Sequence, residues 1–187
     1  MYGQIDAAQE FSLPAGTQIP YHWLSSVAPQ LLRVRFDDGE WSWSGGFSLN
    51  DGSLFEVMLR DRSSLKSDRL VVQSVTEGPT TAILFHSAAG RTPMYSIQNN
   101  TSVPFLVKQE GVYDIGEEIP PRTTVPFAWA DFSASERRVQ VLPIAGSGVE
   151  LETLSIPRFS LDEVATLPSF KVDKKGWKAP LRCSVRL

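Results

Sequence analysis

Ile119-Pro120-Pro121-Arg122-Thr123-Thr124-Val125-Pro126-Phe127-Ala128-Trp129 repeats, without a gap, a stretch near the start of the chain, Leu13-Pro14-Ala15-Gly16-Thr17-Gln18-Ile19-Pro20-Tyr21-His22-Trp23. Each residue of the later stretch stands 106 positions after its counterpart, from Leu13 against Ile119 to Trp23 against Trp129. The shared pattern is aliphatic-Pro-x-x-Thr-x-aliphatic-Pro-aromatic-x-Trp. Its prolines fix φ and remove backbone donors, which excludes a helix interior or a central strand. The block reads as an extended edge segment that turns a corner and drops Tyr21 and Trp23, or Phe127 and Trp129, into a core. Stacking on a ligand is the alternative for the same rings.

The match continues with small changes of length, as it does when loops vary and strands do not. Leu32-Arg33-Val34-Arg35-Phe36 answers Arg137-Arg138-Val139-Gln140-Val141, and Phe47-Ser48-Leu49 answers Phe159-Ser160-Leu161. Phe55-x-Val57 answers Phe170-x-Val172, and Leu70–Val75 answers Leu181–Arg186. One ordered series of echoes after a gapless block marks a duplicated unit. Residues 1–110 are read as the first repeat and residues 111–187 as the second, whose counterpart of the Tyr95–Gln109 segment is not found.

Strand signals dominate the rest. Leu32–Phe36 and Leu181–Leu187 alternate apolar and polar, as half-buried strands do. Leu70–Val75, Thr81–His86, Tyr95–Asn99, Phe105–Gln109, Arg137–Leu142, Val149–Ile156 and Ser169–Val172 are short, β-branched or aromatic, and bounded by turn residues. The one helical signal is the capping-box spacing of Ser160-Leu161-Asp162-Glu163, which predicts a single turn before Pro168. The expected fold is therefore all-β: two tandem β-sandwich-like repeats of short antiparallel strands.

An apolar fraction of 42% and a charged fraction of 21% fit a globular chain, and a net charge of −3 gives no pull toward nucleic acid or anionic lipid. The single cysteine, Cys183, excludes an internal disulfide and reads as a small core residue. No apolar run is long enough to insert in a membrane, and the first residues carry no leader, so a reduced cytoplasmic setting is expected. His22 and His86 have no neighbour at metal or triad spacing, the carboxylates are dispersed in turns, and no nucleotide-binding loop occurs. No catalytic residue, metal site or cofactor is expected.

Two features invite a binding role. Trp41-Ser42-Trp43 places two rings on one strand face, either a sugar platform or a packed surface ended by a bulge at Gly45-Gly46. Ile97-x-Asn99-x-Thr101 puts an asparagine between a buried strand and a turn, where its amide and carbonyl together can satisfy backbone groups that neither Asp nor Leu can.

Tyr95–Thr101, then Pro104-Phe105-Leu106-Val107-Lys108-Gln109, then Ile119-Pro120-Pro121, then Val125-Pro126-Phe127-Ala128-Trp129 together resemble the signature of the adaptor-binding domain of vacuolar protein sorting 13 proteins, also called the SHRUBBY-binding region. The resemblance implies about two of that domain's all-β repeats, within a very large lipid-transfer protein that bridges membranes at organelle contact sites. It implies no enzymatic activity, and adaptor proteins that dock through short Pro-x-Pro segments, with neighbouring repeats of the same chain as further partners. It also implies a cytoplasmic protein, peripheral at organelle membranes. Asn99 matches the asparagine that recurs once per repeat in that family. With Thr101, Tyr95, Phe127 and Trp129 it forms the candidate set, peptide-binding or repeat-defining. The first copy departs from the family in Pro14-Ala15 and Tyr21-His22-Trp23, and no second Ile-x-Asn-x-Thr occurs. A peptide groove lined by apolar strand residues is expected near the junction of the repeats. The alternatives are a carbohydrate-binding β-sandwich built on Trp41 and Trp43, and a purely structural repeat.

Overall fold

The computed structural model describes residues 2–4, 10–23, 27, 29–49, 53–64, 66–112, 116–144, 158–162, 170–174 and 177–181. These residues form an all-β structure of antiparallel sheets, with no helix among them. Packing divides the chain into two compact units, Met1–Met94 with Ala128–Ser135, and Tyr95–Phe127 with Glu136–Leu187. The units interleave in sequence: the chain leaves the second unit at Ala128 and re-enters it at Glu136.

In the first unit, β1 (Tyr2–Gln4), β2 (Leu31–Val34) and β3 (Phe47–Ser48) form one sheet, and β4 (Leu54–Arg60), β5 (Ser67–Glu77) and β6 (Thr80–Ser87) form another. The period of two decides what each strand buries. Leu32 and Val34 of β2 point inward, and Phe55 of β4 pairs with Val72 of β5, which pairs with Phe85 of β6. Leu32, Val34, Phe47, Val57, Leu59 and Val72 make the core, with Phe55, Leu70, Ile83 and Phe85 packed against it. Each such side chain contributes about 1.5–3 kcal/mol by leaving water. The β5–β6 connection is Gly78-Pro79, with Gly78 at φ 60°, the geometry that glycine supplies at the first position of a tight hairpin turn.

The other face of β4 and β5 is also covered, because Glu56, Met58 and Val71 are buried. Glu56 meets the Arg69 guanidinium at 2.6 Å, with side chains 4% and 13% exposed, so each charge compensates the other's lost hydration.

In the second unit, β7 (Tyr95–Gln98) pairs with a later strand, and β8 (Phe105–Gln109) lies at the centre of a three-stranded sheet. The partners of β8 are β9 (Gly116–Ile119) on one side and the strand that follows β10 (Thr124–Phe127) on the other, β11 (Val139–Pro143). β10 is the partner of β7. β12 (Phe170–Lys174) and β13 (Trp177–Leu181) make a hairpin. Phe105 and Val107 of β8 are buried with Ile119, Val139, Val141, Phe159 and Leu161.

Several expected strands correspond to β2, β5, β6, β7, β8, β11 and β12, whereas Val149–Ile156 and Arg182–Leu187, with Cys183, lie outside the described residues. The helical turn expected from Ser160 toward Pro168 lies mostly outside the described residues. Ser160 Oγ accepts from the Asp162 N–H at 3.1 Å, and the residues form bends; Glu163 lies outside the described residues.

The turn that opens the repeated block folds alike in both copies. Thr17 Oγ1 donates to the Pro14 carbonyl at 2.6 Å and Thr123 Oγ1 donates to the Pro120 carbonyl at 2.7 Å. The third turn residue is left-handed in each, Gly16 at φ 73° and Arg122 at φ 59°. A left-handed third residue after alanine or proline describes a type II turn, which favours glycine at that place. Arg122 therefore carries strain that Gly16 does not. Replacing it, Arg122→Gly, is expected to raise stability by about 0.5–1 kcal/mol, read as a higher thermal midpoint, while Gly16→Ala lowers stability by a similar amount.

Candidate functional site

Tyr95, Ile97 and Asn99 alternate inward along β7 and its continuation. Tyr95 lies directly opposite Phe127 in the β7–β10 pair, and the Asn99 N–H donates to the Thr123 carbonyl at 2.8 Å just past its end. Asn99 is 5% exposed. Its Nδ2 lies within hydrogen-bond distance of three carbonyls, Val103 at 2.8 Å, Ile119 at 3.0 Å and Pro120 at 3.1 Å. Its Oδ1 accepts from the Thr101 N–H at 2.9 Å and stands 2.8 Å from Thr101 Oγ1. Thr101 Oγ1 is in turn 3.0 Å from the Val103 carbonyl and accepts from the Val103 N–H at 3.2 Å. One amide thus ties the 99–103 turn to Ile119 and Pro120, where the repeated Pro-x-x-Thr turn begins.

The Tyr95 hydroxyl donates to Asp162, whose other oxygen accepts from Arg137 at 2.9 Å. These partners were not foreseen, because Tyr95 and Asp162 are 67 residues apart and nothing local links them. The structure therefore brings Tyr95, Asn99, Thr101 and Phe127 together in the second unit. Trp129 belongs to the first.

Trp129 lies in an extended segment held along both sides. Gly45 N–H donates to the Ala130 carbonyl at 2.8 Å, and Phe132 N–H donates to the Gly46 carbonyl at 3.0 Å. On the other side Met58 N–H donates to the Trp129 carbonyl at 2.9 Å, and Val57 bridges Trp129 in parallel. The Trp129 side chain is 1% exposed, and the Phe132 ring stands 4.5 Å from that of Phe55. Gly45 is what allows the approach: a Cβ there would lie 2.1–2.5 Å from side-chain atoms of Asp131. The glycine pair that reads as a bulge is a strand-docking surface.

The two tryptophans before it do not form an open platform. Ser42 and Ser44 are the buried residues of that stretch, with Trp41 and Trp43 half-buried. Trp41 makes an edge contact with Phe36 at 4.8 Å, and the guanidinium carbons of Arg33 and Arg35 sit 4.9 and 4.8 Å from the Trp43 ring centre. Arginines already stack where a sugar would.

Among the described residues Asp61 is the one carboxylate held far from its ordinary range. Hydrogen bonds from the Ser64 and Ser63 hydroxyls and the Ser63 N–H lower its pKa to about 2. It is half-buried at the start of the β4–β5 turn and locks that turn. A depressed carboxylate supports the fold above its unfolded value near 3.8 and ceases to as pH falls toward 2. No group of three or more potential metal ligands occurs among the described residues. No helix among them is long and apolar enough to cross a membrane.

Comparison with known proteins gives this arrangement its context. The family described as the adaptor binding domain of vacuolar-sorting associated protein 13 matches residues 2–135. The match therefore takes in the whole segment, Ala128–Ser135, that completes the first unit. Among curated proteins, the human intermembrane lipid transfer protein VPS13D is 32% identical over 117 residues, 61% of this chain and 3% of its own length. The Dictyostelium discoideum intermembrane lipid transfer proteins vps13D and vps13A are each 27% identical, over 69% and 76% of this chain and 3% and 4% of their own. The chain thus spans a few hundredths of the length of these relatives. With an all-β fold and a match over most of its length, the chain belongs to the adaptor-binding domain family of VPS13 proteins, a family of protein-interaction modules.

Proposed function

We propose that this chain is a pair of repeats of an adaptor-binding array, residues 1–110 and 111–187, and that it binds short extended Pro-x-Pro segments of adaptor proteins by strand addition. The observation that carries the reading is the segment Ala128–Phe132. It enters the first unit just after Pro126, is held by backbone hydrogen bonds, and is anchored by one buried ring. A fold that takes in an extended, proline-preceded segment of its own is suited to doing the same with a partner's.

The spacing of the motif suits this mode. In a strand, residues i and i+2 direct their N–H groups to the same side. Two prolines separated by one residue can both place their missing donors toward solvent, while the intervening residue pairs with the sheet through both its N–H and its C=O. Adjacent prolines, or prolines three apart, would put one of them against the edge. Asn99, Thr101, Tyr95 and Phe127 act in this reading by holding the repeat in register. Through such contacts a lipid-transfer protein is brought to organelle membranes and contact sites as a peripheral cytoplasmic protein.

Titrating the chain with a labelled Pro-x-Pro peptide, followed by fluorescence anisotropy, tests the proposal. Saturable binding with a Kd on the order of micromolar is expected, and loss of at least tenfold in affinity when the same residues are rearranged to Pro-Pro-x or Pro-x-x-Pro. Equal binding of all three peptides, or none to the folded chain, would refute it. Oligosaccharide binding abolished by Trp43→Ala would establish the sugar reading in its place.

A further inference from the structure

We propose that the slot between Gly45-Gly46 and Val57-Met58 is a strand-acceptor site whose ligand is an extended Trp-x-x-Phe segment, and that a second copy of this chain can supply it. The inference stands on packing within the first unit and does not depend on adaptor binding.

The ligand's chemistry is visible in the occupant. Trp129 supplies the buried anchor, Phe132 covers Phe55, and the backbone of residues 129–132 bonds to Gly45, Gly46 and Met58. Gly45 has no room for a side chain because Asp131 stands where its Cβ would be. The slot therefore selects an extended backbone with a large ring at one position and a second ring three residues on.

The same segment is flanked on both sides by strands of the other unit. Residues 124–127 pair with β7 and residues 139–143 pair with β8. If two copies exchange the segment, each hydrogen bond of the slot and of both flanking pairs is made again with the same partner type. Exchange of an identical element between protomers costs little beyond association itself. The covalent connection keeps the effective concentration of the cis segment high, which holds a single copy in its own slot at ordinary concentration. Removing either the anchor or the slot from a copy cancels that advantage.

Two full-length variants separate donor from acceptor. Trp129→Gly keeps the slot and loses the anchor; Gly45→Val keeps the anchor and closes the slot. Each is unfolded and refolded alone, and the two are refolded together at equal concentration, with mass read by light scattering after size exclusion and folding read by thermal melting. Neither variant alone is expected to show the first unit's melting transition. The mixture is expected to recover it in a species of doubled mass containing both chains one to one. Replacing the donor by the double variant Gly45→Val, Trp129→Gly is expected to abolish that species. A mixture that stays at monomer mass overturns the proposal. So does pairing that survives in the double variant, or a wild-type transition in either variant alone.

Discussion

Trp129→Ala is expected to abolish the cooperative unfolding transition of the first unit while the second keeps its own hydrogen bonds. Trp129 is the largest fully buried side chain among the described residues and touches water over only 1% of its surface. Truncating a buried tryptophan costs about 3–5 kcal/mol, the lost transfer free energy plus that of the cavity left behind. A domain's whole stability is on the order of 5–15 kcal/mol. Here the ring also anchors the backbone, so its loss frees the Met58 N–H and the Gly45 N–H from their acceptors at Trp129 and Ala130. At roughly 4–8 °C per kcal/mol the loss amounts to tens of degrees, which leaves the first unit no folded baseline, and hydrogen exchange at Met58 should accelerate toward that of an unstructured amide. Its repeat partner sets the control. Trp23 is half-buried, with an edge contact to Tyr21 at 5.3 Å, so Trp23→Ala should cost much less. Equal shifts for the two tryptophans, or unchanged exchange at Met58, would show that the segment is not what closes the unit.

That contrast marks where reading the sequence succeeds and where it cannot. The gapless block predicts one turn twice, and Thr17 and Thr123 close it alike, because a type II turn is decided by four adjacent residues. The block also places Phe127 and Trp129 in one repeat, yet contacts assign them to different units. A repeat in sequence records shared pattern, while packing is decided by which backbone can approach which. The same holds for Gly45-Gly46, whose partner strand lies some 85 residues on and leaves no local trace. β4 escaped the strand signals because Glu56, Val57, Met58 and Leu59 are all buried, so the alternation of a half-buried strand is missing. Asn99 was legible for the opposite reason. Its turn partner is Thr101, two residues away, and an amide at the end of a buried strand has few other uses.

Asn99→Ala is expected to lower the melting midpoint of the second unit and to weaken peptide binding only as far as the fold is lost. The substitution removes both the donor shared by the Val103, Ile119 and Pro120 carbonyls and the acceptor of the Thr101 N–H. Leaving one buried polar group unpaired costs about 1–3 kcal/mol, so a loss of about 3 kcal/mol or more is expected. Asn99→Asp discriminates further. The variant keeps shape and volume but would aim a carboxylate at three carbonyl oxygens, with no amide protons to offer them. Burial and that repulsion raise its folded pKa above the ordinary carboxylate value near 3.9. The folded state then binds more protons than the unfolded one, so stability falls as pH rises from the unfolded value through the raised folded one, and returns on acidification. Wild type lacks this dependence at residue 99, because an amide does not titrate. Melting curves of the aspartate variant between pH 3 and 7, each referred to wild type at the same pH, measure the effect directly. A difference independent of pH would mean that the side chain leaves its pocket. An unchanged melting curve in Asn99→Ala with binding lost would make Asn99 a peptide contact, and the clasp to Ile119 and Pro120 dispensable. The geometry argues against that outcome, since every polar atom of the side chain already has its partner inside the fold.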